Sequence, residues 1–149
     1  GVPRPVASQA LVPGIENLQV ELGFDTVSET GDAVDFASGP RWQPIGDPPA
    51  AIRDTLFNRG DGVPDVQASG DLFVNCTGAS PCTLEQLRNT VLVRIYVLAR
   101  ASERSPGYVD EKSYQLGSVM VPASNDGFKR HAFSNTIRLN NVAGRRETP

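Results

Sequence analysis

Apolar and polar residues alternate with period two in separate stretches of the chain, and the segments between them lose all period. Leu18, Val20, Leu22 and Phe24 alternate with Gln19, Glu21 and Gly23, which predicts a strand with one buried face. Thr90 to Arg100 reads TVLVRIYVLAR. It is rich in β-branched residues and apolar on both faces, the pattern of a central strand. A further strand is predicted near Ser113 to Val121, and Asn125-Asp126-Gly127 is a hairpin turn signal. The last strand, from about Phe128 to Asn140, sets Phe133, Ile137 and Leu139 on one face and Arg130, Thr136 and Arg138 on the other. Thr83-Leu84-Glu85-Gln86 matches a capping box. The helix it opens must be brief, because the β-branched run begins at Thr90.

The middle of the chain reads differently. Asp25 to Pro49 is polar and broken by Gly31, Gly39, Pro40, Pro44, Pro48 and Pro49, so residues 25–70 are expected to form a loop-rich excursion, a length that suggests an interaction surface. Within it, Ala50 to Phe57 reads as a short helix with Asp47 as its cap. Asp71 to Asn75 reads as a short strand. The expected fold is α+β and mainly β: an antiparallel sheet with meander connections, one or two short helices and long irregular loops. Residues 1–149 are expected to make one domain.

Composition agrees with that reading. Hydrophobic residues are 39% and charged residues 21% of the 149, enough to bury a core in a soluble domain. The net charge is −3, but it is unevenly spread. Glu16 to Asp71 holds eleven acidic residues against Arg41, Arg53 and Arg59, whereas Lys129, Arg130, Arg138, Arg145 and Arg146 face only Glu147 near the end. Such polarity orients neighbours in an assembly; equally, it describes an acidic loop layer and a basic last strand. Nucleic-acid binding would want a concentrated basic stripe with aromatics beside it, and the sequence has none. Val91 to Ala99 is too short to span a membrane and is interrupted by Arg94. The chain opens Gly1-Val2-Pro3-Arg4-Pro5, without Met and without a signal-peptide pattern, and is expected to be a fragment or a processed product.

Candidate chemistry is sparse. Cys76 and Cys82 flank a small loop with Gly78, Ser80 and Pro81, which predicts a structural disulfide over a pair of reduced thiols. The spacing is wrong for a C-x-x-C redox pair, and a single histidine gives no tetrahedral metal shell. Asp61-Gly62-Val63-Pro64-Asp65 resembles the end of an oxygen-rich calcium loop, so Asp61 and Asp65 are candidate calcium ligands against the alternative of a solvated acidic turn. Phe57 and Arg59 occupy the first ligand positions of that template. Acidic Asp25, Glu29, Asp32 and Asp35 fit no such template, although the two loops would share a cation if they met. Arg59-Gly60-Asp61 spells an adhesive tripeptide, but turn chemistry explains it as well. His131 lies three residues from Ser134, on the opposite strand face, so the two make no catalytic pair. Trp42, with Phe36 and Pro40, is the candidate partner contact; the alternative is that it packs inward.

The second half carries a resemblance. Val91-Leu92-Val93-Arg94-Ile95-Tyr96-Val97-Leu98-Ala99-Arg100, Gly107-Tyr108-Val109-Asp110 and Ser113-Tyr114-Gln115-Leu116-Gly117 resemble the PilW family of type IV pilus minor pilins. So do Asn125-Asp126-Gly127-Phe128-Lys129-Arg130-His131-Ala132-Phe133-Ser134 and Thr136 to Arg146, and upstream Gly14-Ile15-Glu16-Asn17-Leu18-Gln19-Val20-Glu21 with Asp25-Thr26. The stretch from Asp32 to Ser80 matches poorly. The resemblance implies a pilin-like or pseudopilin-like sheet, no catalytic residues and no cofactor. It implies a leader and an apolar N-terminal helix before Gly1, an inner-membrane and periplasmic location before assembly, and a place at the pilus tip afterwards. The partners it implies are other minor pilins, the major pilin and a tip adhesin. A carbohydrate- or surface-binding adhesive module and a type II secretion pseudopilin are the alternatives.

Overall fold

The computed structural model describes residues 12–28, 31–34, 41–44, 54–57 and 60–140, with the main chain alone described at 41–44 and 54–57. In chain order the elements are β1 (Ile15–Phe24), β2 (Arg41–Pro44), β3 (Asp54–Phe57), α1 (Leu84–Arg88), β4 (Thr90–Arg104), β5 (Tyr114–Leu116), β6 (Val119–Val121) and β7 (Phe128–Arg138). The β-branched run of β4 puts it at the centre of a three-stranded sheet of order β1-β4-β7. Both neighbours run antiparallel to it. Main-chain bonds join Arg100 to Gly14 and Asp25 to Asn89 on one side, and Ser105 to Gly127 and Leu139 to Val91 on the other.

The chain gathers into two compact units. One takes its described residues from Gly1–Gln19 and Tyr96–Ser134, the other from Val20–Ile95 and Asn135–Pro149. In the first unit Leu98 and Leu116 are buried, together with the charged Asp110. In the second, Phe24, Val34 and Val91 form the apolar core, and Glu21, Asp25, Ser28, Asn89 and Thr90 are buried polar residues.

Local signals hold where they are short-range. The capping box forms as expected: Gln86 N donates to Thr83 Oγ1 at 3.1 Å and Thr83 N to Gln86 Oε1 at 2.8 Å. The mainly β, antiparallel character also holds.

Five expectations change. The meander does not form: the main sheet has the order β1-β4-β7, and β6 lies with β5 in a separate sheet rather than pairing with β7 across Asn125-Asp126-Gly127. Leu18 and Val20 are exposed while Glu21 is buried, and Phe24, on the face of Leu18 and Val20, is buried too; period two says which side chains share a face, not how far along the strand that face is covered. The predicted helix over Ala50 to Phe57 is not formed at Asp54–Phe57, which pairs as β3 with β2, Trp42 opposite Leu56. Cross-strand pairing overrides a weak helical signal there. Residues 45–53, with Asp47, lie outside the described residues. Ser113 to Val121 is not one strand but a hairpin, β5 with β6, turned at Gly117 with φ of 61°. Asp71 to Asn75 contributes only a single bridge, Leu22 to Val74.

The Asn125-Asp126-Gly127 turn leads from β6 into β7, strands of different sheets. Asn125, at φ of 51°, donates its amide to Asp110 O, and Asp126 O accepts from Asp110 N, at 2.9 and 2.8 Å. The turn therefore grips the segment that follows β4. This places Asp110, Asp126 and Arg130 within reach of one another.

Candidate functional site

Within the first unit, charged residues converge on the entry to β7. Arg130 lies two positions inside the strand, on the same face as Phe128, and its side chain is 3% exposed. A guanidinium in such a place must have its N–H groups taken by acceptors. Asp126, four residues back, takes two of them in a parallel fork: Nη1 to Oδ1 at 2.7 Å and Nη2 to Oδ2 at 2.8 Å. Glu16 of β1 takes a second fork from Nε and Nη2. Asp110, whose side chain is 0% exposed, accepts from Nη1 at 3.1 Å. Arg100 of β4 adds an ion pair to Glu16 at 3.2 Å, and its guanidinium stacks over Phe128 with that of Arg104.

Asp110 gains further donors. Tyr108 Oη donates to its Oδ1 at 3.1 Å, and Tyr114 Oη reaches both oxygens at 3.1 and 3.0 Å. Burial pushes the Asp110 carboxyl up, but the hydrogen bonds from Arg130, Tyr114 and Tyr108 outweigh it and hold the group below its usual value. The fork from Arg130 lowers Asp126 well below the carboxylate range. The same bonds, from Asp126 first and then Glu16, raise Arg130. Burial, followed by the bond to Asp110, pushes Tyr114 up to about 12 and raises Tyr108 for the same reasons.

Chemically, then, the shifts of Asp110, Asp126, Arg130, Tyr108 and Tyr114 all lead away from neutral pH, and none of these five groups is poised to give or take a proton there. The bonds of this ionic node tie β1, β4, the segment before β5 and the start of β7 together. Beside it lies an open hollow of about 420 Å³ walled by Arg104, Tyr108, Val109, Asn125, Asp126 and Gly127. The charged groups in that wall are Asp126, bound to Arg130, and Arg104, laid over Phe128.

Sequence reasoning treated these residues as strand residues that specify the sheet. It missed the node, yet Glu16, Tyr108, Asp110, Tyr114, Asp126 and Arg130 all fall within the segments that carry the PilW resemblance. The signals were an arginine sharing a strand face with a phenylalanine, and an aspartate flanked by two tyrosines.

The second unit holds an acidic clasp. Asp65 Oδ2 accepts from the amides of Thr26 and Val27 at 2.6 and 2.8 Å. In the other direction, buried Asp25 accepts the Gly62 amide at 2.8 Å. Gly60, bridged to Ser28, must be glycine: a Cβ there would lie 2.0 Å from Asp25 Oδ2. Asp61 caps its own turn by accepting from Val63 N at 2.8 Å. The structure thus brings Asp25 and the 60–65 loop together, as the shared-cation idea required, and bonds their carboxylates to main-chain amides. Among the described residues, no three His, Cys, Asp or Glu side chains gather where they could hold a metal ion.

The other candidates are placed as follows. Cys76 and Cys82 form a disulfide with their Cα atoms 5.1 Å apart. The main chain of Trp42 lies in β2 opposite Leu56; its side chain, with Glu29, Asp35, Phe36, Pro40 and Arg59, lies outside the described residues. His131 packs its ring on Phe133, centroids 4.4 Å apart. Among the described residues no helix is long and apolar enough to cross a membrane.

The described residues thus form antiparallel β-structure with a disulfide-closed loop and buried charges bound to one another. The family model described as Type IV Pilus-assembly protein W (PilW) matches residues 3–141, and the chain belongs to that family. The family is one of pilus assembly, a cell-envelope system, and is not an enzyme family. No curated protein and no solved structure matches the chain.

Proposed function

We propose that this domain is a minor pilin, a structural subunit that joins other minor pilins in the complex that primes type IV pilus assembly and is carried to the tip. On this reading it is held at the inner membrane facing the periplasm before assembly, and its partners are other minor pilins, the major pilin and the tip adhesin. The observation that carries the reading is the ionic node. It fixes the strands of the first unit against one another and uses its charges internally, so what the unit offers outward is strand surface, with Leu18 and Phe133 exposed on it.

The test is co-purification of the domain with each purified minor pilin, the major pilin and the tip adhesin in turn. Stable binding to one or more minor pilins is expected. Binding to a glycan array without binding to any pilin would replace this reading with an adhesive module, and restoration of type II secretion without pilus assembly would replace it with a pseudopilin.

A further inference from the structure

Asp126 and Gly127 make an Asp-Gly pair at the entry to β7. Glycine has no Cβ to crowd its own nitrogen, so the Gly127 amide is a nucleophile next to the Asp126 side-chain carbon. Attack forms an N–Cγ bond; the amide gives up its proton, a carboxyl oxygen leaves, and a succinimide ring closes with loss of a water molecule. Water then adds back at either ring carbonyl. Opening at the side-chain carbonyl restores aspartate. Opening at the main-chain carbonyl leaves isoaspartate, with the chain running through Cβ and Cγ. No oxidant or cofactor enters, and the water lost is balanced by the water added.

Burial does not keep this pair shut. The Asp126 side chain is 27% exposed, and both residues wall the open hollow of about 420 Å³, which gives a ring room and lets water reach it. The restraint lies on the carboxylate. Its two oxygens are held in the Arg130 fork at 2.7 and 2.8 Å, and Oδ1 also accepts from Phe128 N at 3.1 Å. These bonds fix Cγ, and closing the ring must break them. The same guanidinium holds the group ionised, well below the carboxylate range. The neutral acid is the form that sheds its oxygen readily, because an ionised carboxylate would have to expel oxide.

We propose that Asp126 is a modification site closed by Arg130: with the fork made the Asp-Gly pair is inert, and with the fork open Asp126 converts to isoaspartate. The product adds a methylene to the main chain at the start of β7 and carries its free carboxylate directly on Cα. The original fork cannot then re-form, so a reversible opening of the node becomes permanent. The proposal concerns this one pair and does not rest on the pilin reading.

The second unit supplies an internal reference, Asp61-Gly62, where the restraint is on the nucleophile: Gly62 N is given to Asp25 at 2.8 Å. Wild type, Arg130→Lys and Arg130→Gln are aged at neutral pH in native buffer, and wild type also in urea. Isoaspartate at each pair is then followed by electron-transfer fragmentation mass spectrometry. Lysine keeps a cation beside Asp110 without the fork, and glutamine keeps a donor without the charge. Asp126 of the native wild type should isomerise about tenfold or more slowly than in urea, and each variant should raise its native rate by about tenfold. The rate at Asp61 should be the same in all three native proteins. Equal rates at Asp126 in native buffer and urea, or an unchanged rate there in both variants, would overturn the proposal. So would a rise in both variants matched at Asp61, which reports general opening of the chain rather than loss of the fork.

Discussion

Arg130 and Asp126 face each other through two parallel hydrogen bonds of 2.7 and 2.8 Å, one from each terminal guanidinium nitrogen to each carboxylate oxygen. The geometry suits arginine alone, because lysine is a point charge without a planar fork. The remaining N–H groups of the same guanidinium hold Glu16 and Asp110.

Arg130→Ala would leave Asp110 buried with its cation gone. Losing one partner of a buried pair is costly, and a loss of about 3 kcal/mol in unfolding free energy is expected from urea denaturation. Arg130→Lys keeps the charge and loses the forks, and should fall between wild type and alanine. Equal stability of Arg130→Ala and wild type would remove the node from any part in holding the domain together.

The node also sets limits of pH. Asp110 and Asp126 have folded-state values below their ordinary ones. Their contribution is therefore present above the ordinary carboxylate range of about 4 and is lost as pH falls below it. Tyr114 is shifted the other way, to about 12. Its contribution is present below about 10, the ordinary tyrosine value, and is lost as pH rises toward the folded value. Thermal melting should show a plateau between these limits. Tyr114→Phe should flatten the alkaline decline, and an unchanged alkaline limb in that variant would refute the assignment.

How far the fold was legible depended on the reach of each interaction. The Thr83–Gln86 capping box spans three positions and was readable as a local pattern. The centrality of β4 was readable because a run apolar on both faces has nowhere else to go. Glu16 and Arg130, by contrast, lie 114 positions apart, and no local pattern announces that pair. The clasp between Asp25 and Gly62 spans 37 positions. It was glimpsed only as acidic loops that would share a cation if they met. The exposure of Leu18 was illegible for a different reason: alternation groups Leu18 with Phe24 on one face without saying that cover over that face reaches Phe24 and stops short of Leu18.

Gly60 offers a sharp test of the second unit. Its missing Cβ is the space that the Asp25 carboxylate fills, so Gly60→Ala should destabilise by about 3 kcal/mol through overpacking at a buried site. Asp65→Ala strips the acceptor from the Thr26 and Val27 amides and should cost about 1–3 kcal/mol. Both are read by chemical denaturation. Repeating the wild-type melt across a calcium titration settles the role of Asp61 and Asp65 as ligands. With these carboxylates already bonded to amides, the expected melting temperature is constant; a saturable rise would establish a cation site.

The disulfide acts on the unfolded chain more than on the folded one. Cys76 and Cys82 are separated by six positions, and closing so short a loop removes little chain entropy, worth about 2 kcal/mol. The loop it closes leads straight into the Thr83 cap of α1, a helix of 5 residues with no buried side chain. So short a helix cannot hold itself together in water and depends on its surroundings for order. Replacing both cysteines with serine should therefore lower stability by about 2 kcal/mol and speed amide exchange over Leu84–Arg88 more than over β4. Reductant should produce the same loss in the wild-type chain and none in the double variant. Uniform acceleration of exchange across β4 and α1 alike would show instead that the bridge supports the whole unit rather than the helix beside it.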